Sequence, residues 1–131
     1  LTLADIDYIN AHGNAMPDYD IAETSAFKEV FREMVYKIPV SSIKSMIGQS
    51  LAASPMFQTI SSCLTIRDSI IPPTINYEYP DPDCDLDYVP NKSRSARVRN
   101  ILINAHGMSG THSVLILGRP NQFAPRPPRW I

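Results

Sequence analysis

The sequence predicts an α/β fold, a mixed sheet with helices packed on it. Three observations carry that expectation. Short runs rich in β-branched and aromatic residues alternate with longer stretches whose apolar residues recur at helical spacing. The last two strand-like runs are close enough in the chain to form an antiparallel pair, after an order of strand, helix, short strand, helix and extended arm. The chain is 44% hydrophobic and 19% charged, which allows a packed core and argues against disorder.

Ile6 to Ala11 reads as a strand feeding a turn at Gly13, with Pro17 beyond it. Asp20 can cap the next helix, with Glu23 three residues later in capping-box position. Phe27, Val30, Phe31, Met34 and Val35 then recur at helical spacing, and Lys28, Glu29, Arg32 and Glu33 take the other face. Pro39 stops that helix. Val40 to Ser42 is too short to assign from periodicity. Leu51 to Arg67 is a second helical stretch, weakly polar and expected to be buried. It begins at Pro55 or kinks there, because proline fits a first turn and disrupts a later one. Ile70 to Pro90 holds five prolines and must be extended or turning. Val98 to Asn104 and Ser113 to Leu117 read as strands joined by the turn at 106–110. Residues 1–118 are therefore expected to form one domain, and 119–131 a Pro/Arg-rich linker or loose end. Almost nothing precedes the first strand, so the sheet is expected to be incomplete and to need a partner half over its edge.

Composition excludes several functions. Twelve basic residues balance thirteen acidic ones, leaving no excess to attract nucleic acid or an anionic membrane. The longest apolar runs fall far short of the roughly 20 residues that span a bilayer. No segment has the features of a signal peptide, so the expected compartment is the cytoplasm. Cys63 and Cys84 make no disulfide framework and read as reduced.

The residues able to carry chemistry are His12, Lys44, Gln49, His106 and His112. His12 stands at the carboxyl end of a strand, where open α/β sheets bind ligands, although a lone histidine is commonly structural. Asn-Ala-His-Gly occurs twice, at 10–13 and 104–107, each time after an apolar run. If those strands are neighbours, both histidines emerge on one rim; chance recurrence of a strand-then-turn pattern is the plainer alternative. The histidines are isolated and no Cys-x-x-Cys pair exists, so no metal is expected. No Walker loop or dinucleotide fingerprint is present.

Several separated stretches, in order, resemble one family. They are Asp5 to Gly13, Glu23-Thr24, Ser42 to Gly48, Ile66 to Asn76, Asp85 to Asn91 and the loop Asn104 to Thr111. Together they resemble the C-terminal half of β-ketoacyl-acyl-carrier-protein synthases, nearest to type II elongation synthases and the ketosynthase and chain-length-factor pairs of polyketide pathways. The resemblance implies most of the second half of a thiolase fold, without that half's opening strand and helix. It also implies a missing first half and a nucleophilic cysteine that neither Cys63 nor Cys84 matches.

The same resemblance implies roles for single residues. His12 matches the first of two histidines that polarise a malonyl thioester carbonyl. Lys44 matches a buried lysine and Glu23 the acid that supports it. Met108 falls at a gating phenylalanine. The departures are Gln49 at the second histidine, Asn14 and Met16 at two threonines that bond the pantetheine arm, Ser109 at a glycine and His106 at a phenylalanine. Glutamine donates a hydrogen bond but does not change charge near neutral pH. The expectation is a non-elongating subunit, like a chain-length factor. The alternatives are an acyltransferase with altered chemistry, completed by another segment, and a stand-alone binding module. The implied partners are an N-terminal half or a ketosynthase subunit, acyl carrier protein bearing the phosphopantetheine, and a second copy in a dimer; no cofactor of the chain's own is implied. His106 either supplies the lost imidazole or packs in place of phenylalanine.

Overall fold

A computed structural model of the chain describes residues 1–120. The tail expected at 119–131 therefore lies almost wholly outside the described residues. Strand β1 (Tyr8–Asn10) is followed by helix α1 (Pro17–Phe31), strand β2 (Val40–Ser41), the short helix α2 (Lys44–Ile47) and helix α3 (Ser54–Asp68). Strands β3 (Ile70–Ile71) and β4 (Arg94–Ser95) form a small antiparallel pair. Strands β5 (Asn100–His106) and β6 (His112–Gly118) close the order.

The main sheet runs β2-β1-β5-β6. β1 is parallel to β2 and β5, and β6 is antiparallel to β5, so the sheet is mixed as the sequence predicts. Alternation along the strands feeds two cores. Ile9 and Ala11 join Phe27, Phe31, Val35 and Val40 on the α1 side. Tyr8, Ile101 and Ile103 join Ile66 and Ile71 on the α3 side. The proline-rich arm has no helix, bridges at Thr74 and Pro90, and buries Leu86 and Val89.

Four expectations change. α1 begins at Pro17 with Met16 as its N-cap, so Asp20 and Glu23 are no capping box. Proline is comfortable at N1, where its missing N–H costs nothing, and the helix starts a turn earlier than Asp20. The Asp20 carboxylate instead accepts the N–H groups of Asn14 and Ala15, both at 3.1 Å. At the other end α1 stops at Phe31, and a 3-10 segment over Arg32–Lys37 precedes Pro39. Val30 and Met34, expected on the apolar face, are exposed.

The largest change concerns α3. It starts at Ser54 with Pro55 in its first turn, so there is no kink, but its burial is inverted. Met56, Phe57, Ile60 and Leu64 face outward, while Ser54, Gln58, Ser62 and Thr65 are buried. The reason is the surface it meets. Asn10 Nδ2 donates to Gln58 O and Ser62 Oγ, each at 3.1 Å, and Gln58 Nε2 donates to Ala11 O at 2.8 Å and Asn104 O at 3.0 Å. Buried amides demand such partners, and α3 turns its polar side inward to supply them. β6 is the sheet's long open edge, with Val114, Leu115 and Ile116 all exposed.

A candidate active site where two strands end

Parallel pairing of β1 and β5 brings the two Asn-Ala-His-Gly copies together. The imidazoles of His12 and His106 stack with centroids 5.0 Å apart and planes 10° from parallel. The backbone N–H of His106 donates to His12 Nδ1 at 3.1 Å. An accepting Nδ1 leaves the proton of a neutral ring on Nε2. His12 is buried, and its pKa falls to about 4, first because burial penalises the cation and then because Lys44 and His106 repel it. The ring is therefore a neutral donor near pH 7.

The peptide that carries this ring is held on both sides. The Glu23 carboxylate accepts the N–H of His12 at 2.8 Å, the N–H of Gly13 at 2.9 Å and Asn104 Nδ2 at 2.5 Å. Lys44 Nζ donates to the His12 carbonyl at 2.6 Å. Ser42 Oγ donates to the Gly13 carbonyl at 2.7 Å. Gly13 has φ +38, and a Cβ there would fall 2.6 Å from Ser42 Cβ, so the turn accepts only glycine. Lys44 and Glu23 are both buried, yet no ion pair joins them among the described residues. Each instead grips the opposite edge of the His12 peptide. Burial lowers the Lys44 pKa, and the charges of Glu23 and Asp20 partly restore it.

A cavity of about 620 Å³ opens beside this clamp, lined by Gly13, Asn14, Lys44, Gln49, Thr74 and Tyr77 among others. Gln49 is exposed, and its Oε1 accepts Ser54 Oγ–H at 2.8 Å. No hydrogen bond joins Gln49 to either imidazole among the described residues, so the three groups do not form one hydrogen-bonded set. Asn14 spends its Oδ1 on the N–H of Met16 at 3.1 Å, and Met16 is exposed. Met108 is 83% exposed in the loop after β5, and Ser109 there has φ 63. His112 pairs across from His106, ring edge to ring face at 4.8 Å. His106 bonds through its ring to the Asn104 side chain, Nε2 to Nδ2 at 2.8 Å.

Sequence reasoning passed over Ser42 and the side chains of Asn104 and Gln58. Asn104 had a signal, as the first residue of the repeated tetrapeptide. Gln58 had none, because its role depends on a helix packing against two strands distant in sequence. Among the described residues no His, Cys, Asp and Glu group is arranged to hold a metal ion, and no helix is long and apolar enough to cross a membrane.

A family model described as the β-ketoacyl synthase, C-terminal domain, matches residues 1–78. The chain is 48% identical over 118 residues to the tetracenomycin polyketide synthase ketoacyl synthase alpha subunit of Streptomyces glaucescens, covering 90% of this chain and 28% of that protein. It superposes with TM-score 0.88 and 42% identity on a type II polyketide ketosynthase solved with its acyl-carrier protein, covering 90% of this chain and 29% of that one. A ketosynthase/chain-length-factor structure of the ishigamide system gives TM-score 0.86 at 37% identity, again with 90% and 29% covered. The chain thus spans under a third of the length of these relatives. Its mixed sheet with packed helices is part of a thiolase-like fold. By family model, sequence and fold together, the chain belongs to the β-ketoacyl synthases, within their C-terminal domain.

Proposed function

We propose that the chain is the C-terminal portion of a β-ketoacyl-carrier-protein synthase-like protein and serves as a non-elongating, chain-length-factor-like subunit. His12 Nε2–H would meet the thioester carbonyl of a substrate carried on phosphopantetheine. Lys44 and Glu23 would hold the His12 peptide while charge develops on that oxygen. Asn14, Met16, His106, Met108 and Ser109 would border the arm or the acyl chain. Donors aimed at a developing oxyanion are worth roughly 2.7–4 kcal/mol each in mutagenesis of other enzymes. The supporting observation is the changed partner of His12. Where the resemblance puts a second histidine stands Gln49, an amide whose Oε1 accepts Ser54 Oγ–H, and His106 turns its Nε2 to Asn104.

The whole assembly would need the segments that the longer relatives possess, a partner ketosynthase subunit, acyl carrier protein and a second copy. It would act in the cytoplasm, with no cofactor of its own. A second reading keeps an active synthase: a cysteine supplied elsewhere takes the acyl group, malonyl thioester loses CO2, and its carbanion displaces the cysteine thiolate. The 48% identity to a ketoacyl synthase alpha subunit favours that reading. The test is the full-length protein incubated with acyl- and malonyl-carrier protein, followed by mass spectrometry. No β-ketoacyl product from the protein alone, with product from an added ketosynthase partner, is expected. Turnover by the protein alone that Gln49→His does not raise would establish the second reading.

A further inference from the structure

The His106 ring has a defined proton position. Its Nε2 lies 2.8 Å from Asn104 Nδ2, and that same amide nitrogen lies 2.5 Å from Glu23 Oε1. An ionised carboxylate only accepts, so Glu23 requires the nitrogen side of the Asn104 amide. Reversed, the amide oxygen would face the carboxylate. The second amide proton then points at His106 Nε2, which must be bare, and the ring proton sits on Nδ1. His12 is the opposite case, with a bare Nδ1 accepting from the His106 N–H at 3.1 Å. Two imidazoles stacked at 5.0 Å are thus held in opposite tautomers.

We propose that His106 is the positioning residue of His12, and that a proton on the His106 ring unlatches the pair. The proposal rests on the reading of His12 as the donor of the site. A proton at Nε2 turns an acceptor into a donor that opposes Asn104. The carboxylate oxygen Glu23 Oε1 stands 4.0 Å from it. The imidazolium would then compete for the carboxylate that holds the N–H groups of His12 and Gly13. The ring is faced by Glu23 from α1, with Asp18 and Tyr19 along the same groove, by His12 from the turn after β1, by Lys44 from α2 and by His112 from β6. Burial lowers its pKa first, Glu23 raises it, and His112 and Lys44 lower it further. Only His106, of the stacked pair, has a carboxylate favouring its cation, so it takes up its proton before His12.

Nitrogen-15 NMR of histidine-labelled chain, from pH 8 to pH 5, tests this. At pH 8 His12 should show a bare Nδ1 and His106 a bare Nε2. On acidification the His12 tautomer signal and the amide peaks of His12 and Gly13 should move with the His106 midpoint, above the midpoint of His12 itself. His106→Phe keeps the backbone N–H that meets His12 Nδ1, and should abolish that earlier step. A bare Nδ1 on His106 in the unaltered chain overturns the proposal, even if the variant does not fold. The same early step in a folded His106→Phe chain overturns it as well. Tautomers as stated, together with unchanged product from the full-length protein and its ketosynthase partner when His12 is replaced (His12→Ala), would remove the donor reading and leave the latch standing.

Discussion

The two copies of Asn-Ala-His-Gly lie side by side and do different work. They are neighbours out of register by one residue, since Asn10 stands opposite Ile103 rather than Asn104. A one-residue offset in a sheet sends equivalent side chains to opposite faces. Asn10 accordingly bonds Gln58 and Ser62 on α3, and Asn104 bonds Glu23 on α1. The first copy is closed: His12 is 4% exposed, and Glu23 and Lys44 grip both edges of its peptide. The second copy is open. His106 is partly exposed, and Gly107 and Met108 beyond it are exposed. Identical residues thus give a buried, tightly held turn in one place and a solvent-facing turn in the other, because neighbours rather than sequence set each environment.

The sharpest way to break this contrast is Glu23→Ala. It strips acceptors from the N–H groups of His12 and Gly13 and from Asn104 Nδ2, and each buried group left unsatisfied costs about 1–3 kcal/mol. A loss of about 3–5 kcal/mol in urea denaturation is expected, with Glu23→Gln losing less because one accepting oxygen remains. Lys44→Ala should cost less, about 1–3 kcal/mol, since it leaves the His12 carbonyl only the longer Ser42 Oγ–H bond at 3.3 Å but also removes a buried ammonium. The same variant should move the His12 titration upward, because Lys44 repels the imidazolium.

Acid should act on the closed copy next. His12 titrates near 4 when folded and near 6.5 when unfolded. Between those values the unfolded chain binds more protons, so stability is full above 6.5 and falls as pH drops toward 4. Denaturation midpoints across that window should show a positive slope with pH that His12→Gln reduces. The smallest effect belongs to the open copy. Met108→Ala removes an 83% exposed side chain and should change stability by no more than about 0.5 kcal/mol. A drop as large as that of Lys44→Ala would show that the second loop is packed after all.

Much of the fold was readable in advance. The β-branched and aromatic run from Ile6 to Ala11 marks an interior strand, and the short spacing between the last two runs marks the hairpin of β5 and β6. The burial of α3 was not readable. Its apolar residues at 56, 57, 60 and 64 look like a core stripe, yet they face outward because the sheet beneath offers Asn10 and backbone carbonyls. Asp20 and Glu23 look like a helix cap, yet their carboxylates reach backward to four N–H groups at 12–15. A local pattern cannot reveal a partner that approaches from outside the element.

The sequence by itself determined the family, the α/β order of elements and the identity of the residues at the rim, because these follow from local periodicity and from motifs in a fixed order. Only the tertiary structure decided what each rim residue does. Whether Glu23 pairs with Lys44 or grips a peptide, and which nitrogen of His12 bears the proton, depends on distances of about 3 Å between segments some ten to ninety residues apart. Hydrogen bonds are lost within a fraction of an ångström, whereas sequence patterns constrain position only to the nearest turn or strand face.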